Sequence, residues 1–76
     1  MFLNKTDIIY AINIKHNENI NFDTEINIEY YDNFLILSYF VINNILYPYK
    51  ISLYISYKEF EIIMRSKKIN KLIHND

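Results

Sequence analysis

NFLILSYFVI (residues 33–42) is the stretch that decides the fold, because it is apolar on both faces of the strand that it predicts. After Asn33, only Ser38 interrupts a run of aliphatic and aromatic side chains. A strand with one solvated face alternates apolar and polar residues, whereas an unbroken run is typical of a strand that is covered on both sides. We therefore expect a central strand over residues 34–42.

Alternating patterns flank this central strand on both sides. Residues 24–31 and 48–55 alternate apolar with polar side chains, and Asp32-Asn33 is typical of a turn. Because the chain has no glycine, asparagine has to supply any left-handed backbone position. These patterns predict an antiparallel meander.

A helix start follows the last of these strands. Ser56 and Glu59 have the spacing of a capping box, in which each side chain binds the other residue's backbone amide. Ile55 and Phe60 have the spacing of a hydrophobic staple around that cap. We therefore predict a helix over about 57–73.

The N-terminal segment allows two interpretations. Residues 8–16 alternate and are rich in β-branched isoleucine, which favours a strand. Alternatively, Asn4 caps a short helix that carries Ile8, Ile9 and Ile12. With the strand preferred, the fold class is α+β in one domain over residues 1–76. The domain is a small antiparallel meander of three to four strands (about 8–16, 24–31, 34–42 and 48–55) followed by one C-terminal helix packed on the sheet.

A chain of 76 residues builds only a small core. Its hydrophobic content of 51% argues against disorder, and the absence of cysteine removes disulfides as a source of stability. Self-association is then the simplest remaining aid, so we expect a homo-oligomer, with a dimer favoured.

Charge is unevenly distributed although the net charge is only −1. Five acidic residues and no lysine or arginine occur between residues 18 and 32: Glu18, Asp23, Glu25, Glu29 and Asp32. This acidic segment is either a solvated strand and loop or a face that docks on a basic, nucleic-acid-binding surface of another protein. A basic group near the C-terminus comprises Arg65, Lys67, Lys68 and Lys71; it either complements the helix dipole or contacts nucleic-acid phosphates.

The residues that catalysis or cofactor binding requires are scarce. Without glycine there is no phosphate-binding loop, and without cysteine there is no thiol nucleophile. His16 with Glu18 and Asp23 matches no metal-site spacing, and Ser38 is interpreted as a packed hydroxyl bonded to backbone. We therefore expect no enzymatic activity, no cofactor and no metal.

The apolar surplus predicts an interaction surface. One helix covers one face of a small sheet, so the second face of residues 34–42 is covered either by the N-terminal segment or by a partner. On the helix, Ile62, Ile69 and Ile73 form a second apolar stripe where a symmetric copy could pair. Two tyrosines, Tyr39 and Tyr54, complete the predicted partner-binding residues, because tyrosine is enriched at interfaces.

Targeting signals are not evident in the sequence, so a cytoplasmic location is expected, with no membrane contact. Abundant isoleucine and asparagine, with no glycine and few alanines, indicate an AT-rich genome, such as that of a phage or mobile element. The hypothesis is a non-enzymatic protein-binding module of anti-defence type, which inhibits a host complex by occlusion. The alternative is a small nucleic-acid-binding regulator that uses the basic C-terminal helix.

Overall fold

The computed structural model describes residues 3–42 and 48–73, with side chains described up to residue 68. The described residues form two helices and three strands, which follow one another along the chain in the order α, β, β, β, α. Their bounds are α1 Lys5–His16, β1 Asn27–Tyr30, β2 Phe34–Val41, β3 Tyr49–Ser56 and α2 Tyr57–Ile73.

The three strands form one antiparallel meander in the order β1-β2-β3. The apolar stretch is therefore the central strand, as predicted, and all of β2 pairs with β3. β1 is shorter than the predicted strand at 24–31, since it occupies only Asn27–Tyr30. The α+β class, the meander and the C-terminal helix on the sheet are confirmed.

The predicted strand at 8–16 is wrong, because this segment lies within α1. Asn4 caps the helix, and its Oδ1 accepts a 2.8 Å hydrogen bond from the amide of Asp7. The fully buried side chains Ile8, Ile9, Ala11 and Ile12 recur at helical spacing on one face. Burial of these four against the core outweighs the modest strand preference of isoleucine, so the domain has two helices rather than one.

Two asparagines end α1 and attach the segment that follows it. Asn17 adopts the left-handed conformation (φ 54°, ψ 48°), the conformation that a glycine-free chain was expected to obtain from asparagine. Asn13 binds the backbone of Ile20 twice: its Oδ1 accepts from the amide at 2.8 Å and its Nδ2 donates to the carbonyl at 3.0 Å. The chain between α1 and β1 is thereby held against the helix.

The capping box of α2 is confirmed. The Glu59 amide donates to Ser56 Oγ, and the Ser56 amide donates to Glu59 Oε1, both at 3.1 Å. Ile55 and Phe60, the two staple residues, are both buried in the core. α2 therefore begins directly where β3 ends.

Both helices pack on one face of the sheet. Leu35 and Leu37 of β2 are fully buried on this face, opposite Ile55 and Leu53 of β3. The same buried cluster contains the isoleucines of α1 and Phe60 of α2. The N-terminal segment thus does not fold over the second face, as one interpretation of the sequence had it, but shares the first face with α2.

Removing the cap hydroxyl by Ser56→Ala should lower the free energy of unfolding by about 0.5 to 2 kcal/mol, because the Glu59 amide loses its acceptor. Urea titration followed by circular dichroism measures the change. Ser66→Ala, at an exposed position within α2, serves as the control and should be neutral or slightly stabilising. Equal midpoints for Ser56→Ala and wild type would contradict the cap.

Candidate functional site

The sheet face opposite the helices, here called the open face, is the candidate functional site. Residues paired across strands share a face, so the register defines its members. Among the described residues, no helix or strand packs over this face. Its members are Asn27 and Glu29 of β1, Phe34, Ile36, Ser38 and Phe40 of β2, and Lys50, Ser52 and Tyr54 of β3.

Apolar side chains are strongly exposed on this face. Phe40 is 64% exposed and Tyr54 is 56% exposed, while Phe34 and Ile36 on the same face are half-buried. Ile42, just beyond the end of β2, is 81% exposed. Side chains of this size normally lie in cores or interfaces, so their exposure makes the open face the candidate interaction surface.

An aromatic row organises one end of the open face. The rings of Tyr31 and Phe34 stack with their centroids 4.9 Å apart, and Phe34 meets Tyr54 edge-on at 6.2 Å. Lys15 Nζ lies 3.8 Å from the Tyr54 ring centroid. The Tyr31 hydroxyl donates to Glu29 Oε2 at 3.0 Å, and this bond to the carboxylate raises the pKa of Tyr31. These contacts hold the three rings in place on the open face.

A shallow depression of about 470 Å³ occupies the other end of the open face. Ser38 lines it, and the Ser38 hydroxyl lies 3.0 Å from the hydroxyl of Ser52 on β3. Ser38 is buried and its partner is this cross-strand serine rather than the expected backbone group. The depression is lined by Glu25, Ile26, Asn27, Ser38, Phe40 and Lys50.

The five residues of the acidic segment are all exposed. They lie along the part of the chain that leads into β1, forms it and turns into β2. Within the described residues, the ion pairs are Lys15–Glu59 and Lys67–Asp7, and neither involves this segment. The part of the chain that leads into and forms β1 is therefore acidic, with no lysine or arginine between residues 18 and 32.

Within the predicted basic group, Lys67 differs from Arg65 and Lys68 in that it contacts α1. Lys67 Nζ lies 4.4 Å from the Tyr10 ring centroid and 3.8 Å from Asp7 Oδ1, so it joins α2 to α1. Arg65 and Lys68 are exposed, and the side chain of Lys71 lies outside the described residues.

Two further predicted partner-binding residues with described side chains, Tyr39 and Ile62, belong to the helix-covered face of β2 and to α2. Tyr39 belongs to the helix-covered face, where it packs against the core; burial, and to a lesser extent the Glu18 carboxylate, raise its pKa. Ile62 is 53% exposed on α2, whereas the side chains of Ile69 and Ile73 lie outside the described residues. Of the predicted partner-binding residues with described side chains, Tyr54 and Glu29 are on the open face, and Glu25 lines its depression.

His16 lies at the edge of β3. Its Nε2 is 2.9 Å from the Tyr54 carbonyl oxygen, which can only accept, so Nε2 carries the proton. In the described part of the chain, no three histidine, aspartate or glutamate side chains converge as metal ligands would.

Comparison with known proteins gave no match: no family model, no curated protein and no solved structure is significantly similar to this chain. Within residues 3–42 and 48–73, neither helix combines the length and apolar character that crossing a bilayer requires.

An ion pair that the sequence did not indicate joins the two helices to the sheet. Lys15 Nζ lies 2.9 Å from Glu59 Oε1, across 44 residues of chain. The same carboxylate accepts the Ser56 amide, and both bonds favour its charged form, lowering the pKa of Glu59 to about 2. Lys15 and Tyr31 were both missed as site residues, because their roles depend on contacts that no short-range pattern encodes.

The lowered pKa of Glu59 predicts acid sensitivity. The unfolded chain binds the proton near the ordinary pKa of 4.5, whereas the folded protein binds it only near 2, so protonation favours unfolding. Stability from this group is complete above about pH 5 and is lost as the pH falls towards 2. Urea midpoints at a series of pH values should fall less for Glu59→Gln than for wild type in this window. Parallel pH profiles for the two proteins would contradict the assignment; Glu61→Gln, exposed on α2, is the control.

The predicted dimer through the Ile62 stripe stays a prediction. If it forms, sedimentation equilibrium at high micromolar concentration gives the mass of two chains, and Ile62→Asp reduces this to one. The described Ile62 is half exposed, so the variant should retain the helical circular dichroism signal. A wild type that sediments as a single chain would remove the dimer.

Proposed function

We propose that this protein is a non-enzymatic protein-binding module that docks another protein on its open face and acts by covering part of that partner. The observation that carries the proposal is the strong exposure of Phe40 and Tyr54 on a sheet face that no described helix covers. Aromatic side chains of this kind provide much of the binding energy in protein interfaces.

The size of the protein favours occlusion as its mode of action. Two strands of eight residues and one of four give the open face a planar area of about 300 Å². A standard interface buries about 800 Å² on each partner, so a docked protein extends beyond the open face onto neighbouring surface. The acidic segment adjoins the open face along β1 and adds a charged margin to the aromatic surface. An inhibitor that blocks a host complex, such as a phage protein directed against host defence, fits these properties.

Substitution on the open face tests this function. Tagged wild type, Phe40→Ser and Ile62→Ser are each used to recover proteins from extracts of the natural host, with quantification by mass spectrometry. Both positions are more than half exposed, so neither change should unfold the protein. We expect a partner that wild type and Ile62→Ser retain and that Phe40→Ser loses by about tenfold or more, the effect of removing an interface anchor.

Two results would contradict the proposal. One is the absence of any protein whose recovery depends on Phe40. The other is an equal loss of the partner protein with Ile62→Ser, which would mean that the contact is not specific to the open face. A partner identified in this way is then purified, and its affinity for the three proteins is measured by calorimetry.

A nucleic-acid-binding regulator is the second candidate function, favoured by the exposed Arg65 and Lys68 on α2. A gel shift at moderate salt tests it with the double variant Arg65→Gln, Lys68→Gln. Lys67 is left unchanged, because its contacts with Tyr10 and Asp7 join the helices. A shift by wild type that the double variant abolishes would make this function the better one.

A further inference from the structure

We propose that the outer edge of β1 binds an extended segment of the partner as an added strand, and that this segment alternates basic with apolar residues. The inference rests on the proposed function in one respect, that the partner is a protein. It adds where the partner's backbone binds and which chemistry is recognised there.

The hydrogen-bond phase of the sheet leaves β1 with outward-pointing backbone groups. The Tyr31 amide donates to the Phe34 carbonyl at 2.8 Å, so these two residues form a hydrogen-bonded pair. Such pairs alternate along an antiparallel ladder, so the amides and carbonyls of Asn27 and Glu29 point towards β2. Those of Ile28 and Tyr30 point away from the sheet. They form a short acceptor and donor row of the kind that binds an added strand.

The opposite edge of the sheet differs from this one. By the same alternation, the Tyr54 carbonyl of β3 points outward, and there it meets His16 Nε2 at 2.9 Å. α1 therefore occupies part of the β3 edge. Among the described residues, no hydrogen bond reaches the outward groups of Ile28 and Tyr30. Among the described residues, the outer edge of β1 is thus free of hydrogen bonds along its length, whereas the β3 edge is occupied at Tyr54.

Charge selects the occupant of this edge. In the antiparallel pairing of two copies that uses Ile28 and Tyr30 of both, each Ile28 lies opposite a Tyr30, and Glu29 then lies opposite Glu29 of the second copy. Like charges directly opposite each other destabilise a strand pair. Glu25 before β1 and Asp32 after it add to the repulsion. A second copy is therefore disfavoured, and a basic segment is complementary.

The pleat of β1 defines the order of residues in that segment. A residue of the added strand opposite Glu29 lies on the open face beside its carboxylate, where lysine or arginine fits. Residues opposite Ile28 and Tyr30 lie on the helix-covered side, next to the half-buried Ile28 and the exposed Tyr30 ring. Apolar side chains fit there. The recognised pattern is apolar, basic, apolar.

Nuclear magnetic resonance titration with synthetic peptides tests the proposal. The probe is acetyl-Val-Lys-Val-Lys-Val-Lys-Val-amide; the comparison peptides carry Glu in place of Lys, or N-methyl groups on alternate residues. The basic probe should shift the amide resonances of Ile28 and Tyr30 and slow their exchange with solvent. Both comparison peptides should bind at least about tenfold more weakly, since one reverses the charge and the other removes backbone donors.

Two variants separate charge recognition from general attraction. Glu29→Gln should weaken binding of the basic probe about three- to tenfold, while Glu61→Gln, which removes an exposed charge from α2, should leave it unchanged. Equal binding of the lysine and glutamate peptides would overturn the proposal. So would shifts confined to α2, or a dissociation constant for the basic probe above about 1 mM.

The result is independent of the test of the proposed function. Phe40 is not part of the β1 edge, so Phe40→Ser should keep the basic probe while losing the partner protein. A Phe40-dependent partner together with no probe binding leaves the protein-binding function standing and removes the added strand. Probe binding at β1 without any Phe40-dependent partner would instead rule out the open face as the docking surface.

Discussion

The double-sided apolar character of β2 is the constraint on which the rest of the structure depends. As the central strand, β2 pairs along both edges, so its backbone is satisfied and its side chains must find cover above and below. A domain of this size provides two helices, and both pack against the face that carries Leu35 and Leu37. Within the described part of the chain, the face with Phe34, Ile36 and Phe40 is left without such a layer. The candidate interaction surface therefore follows from how few residues the chain has to cover a fully apolar strand.

A single carboxylate connects the parts of the helix-covered side. Glu59 closes the cap at the junction of β3 and α2, and it also receives Lys15 from the end of α1. The aliphatic stem of Lys15 leads its ammonium group over the Tyr54 ring, so the same contact also bears on the open face. Exposed ion pairs contribute little on their own, but here the pairing combines with a helix cap. The Glu59–Lys15 contact thereby links the packing of the helices to the position of the Tyr54 side chain on the proposed docking surface.

The two faces of the sheet differ in their cover, and so do its two edges. α1 and α2 cover one face, and α1 also reaches the β3 edge through His16. The open face and the β1 edge are contiguous, since Glu29 belongs to both. An aromatic surface that borders the acidic segment suits a partner surface with apolar anchors and a basic margin. The proposed strand addition and the proposed occlusion thus describe adjoining parts of one interface.

The sequence by itself determined every element whose signal is local. Period-two alternation and the Asp32-Asn33 turn predicted the meander, and the cap at Ser56 located the start of α2 because its bonds join residues only three apart. The helix at Lys5–His16 was mispredicted, since an isoleucine-rich segment satisfies both periodicities and only the core around Ile8 and Ile12 decides between them. Of the candidate site, the sequence indicated the apolar face, Tyr54 and the carboxylates. Tertiary structure alone decided which face of β2 stays open, which backbone groups of β1 point outward, and that Lys67 is used between helices. Each of these depends on contacts between residues far apart in the chain, and short-range patterns carry no information about such contacts.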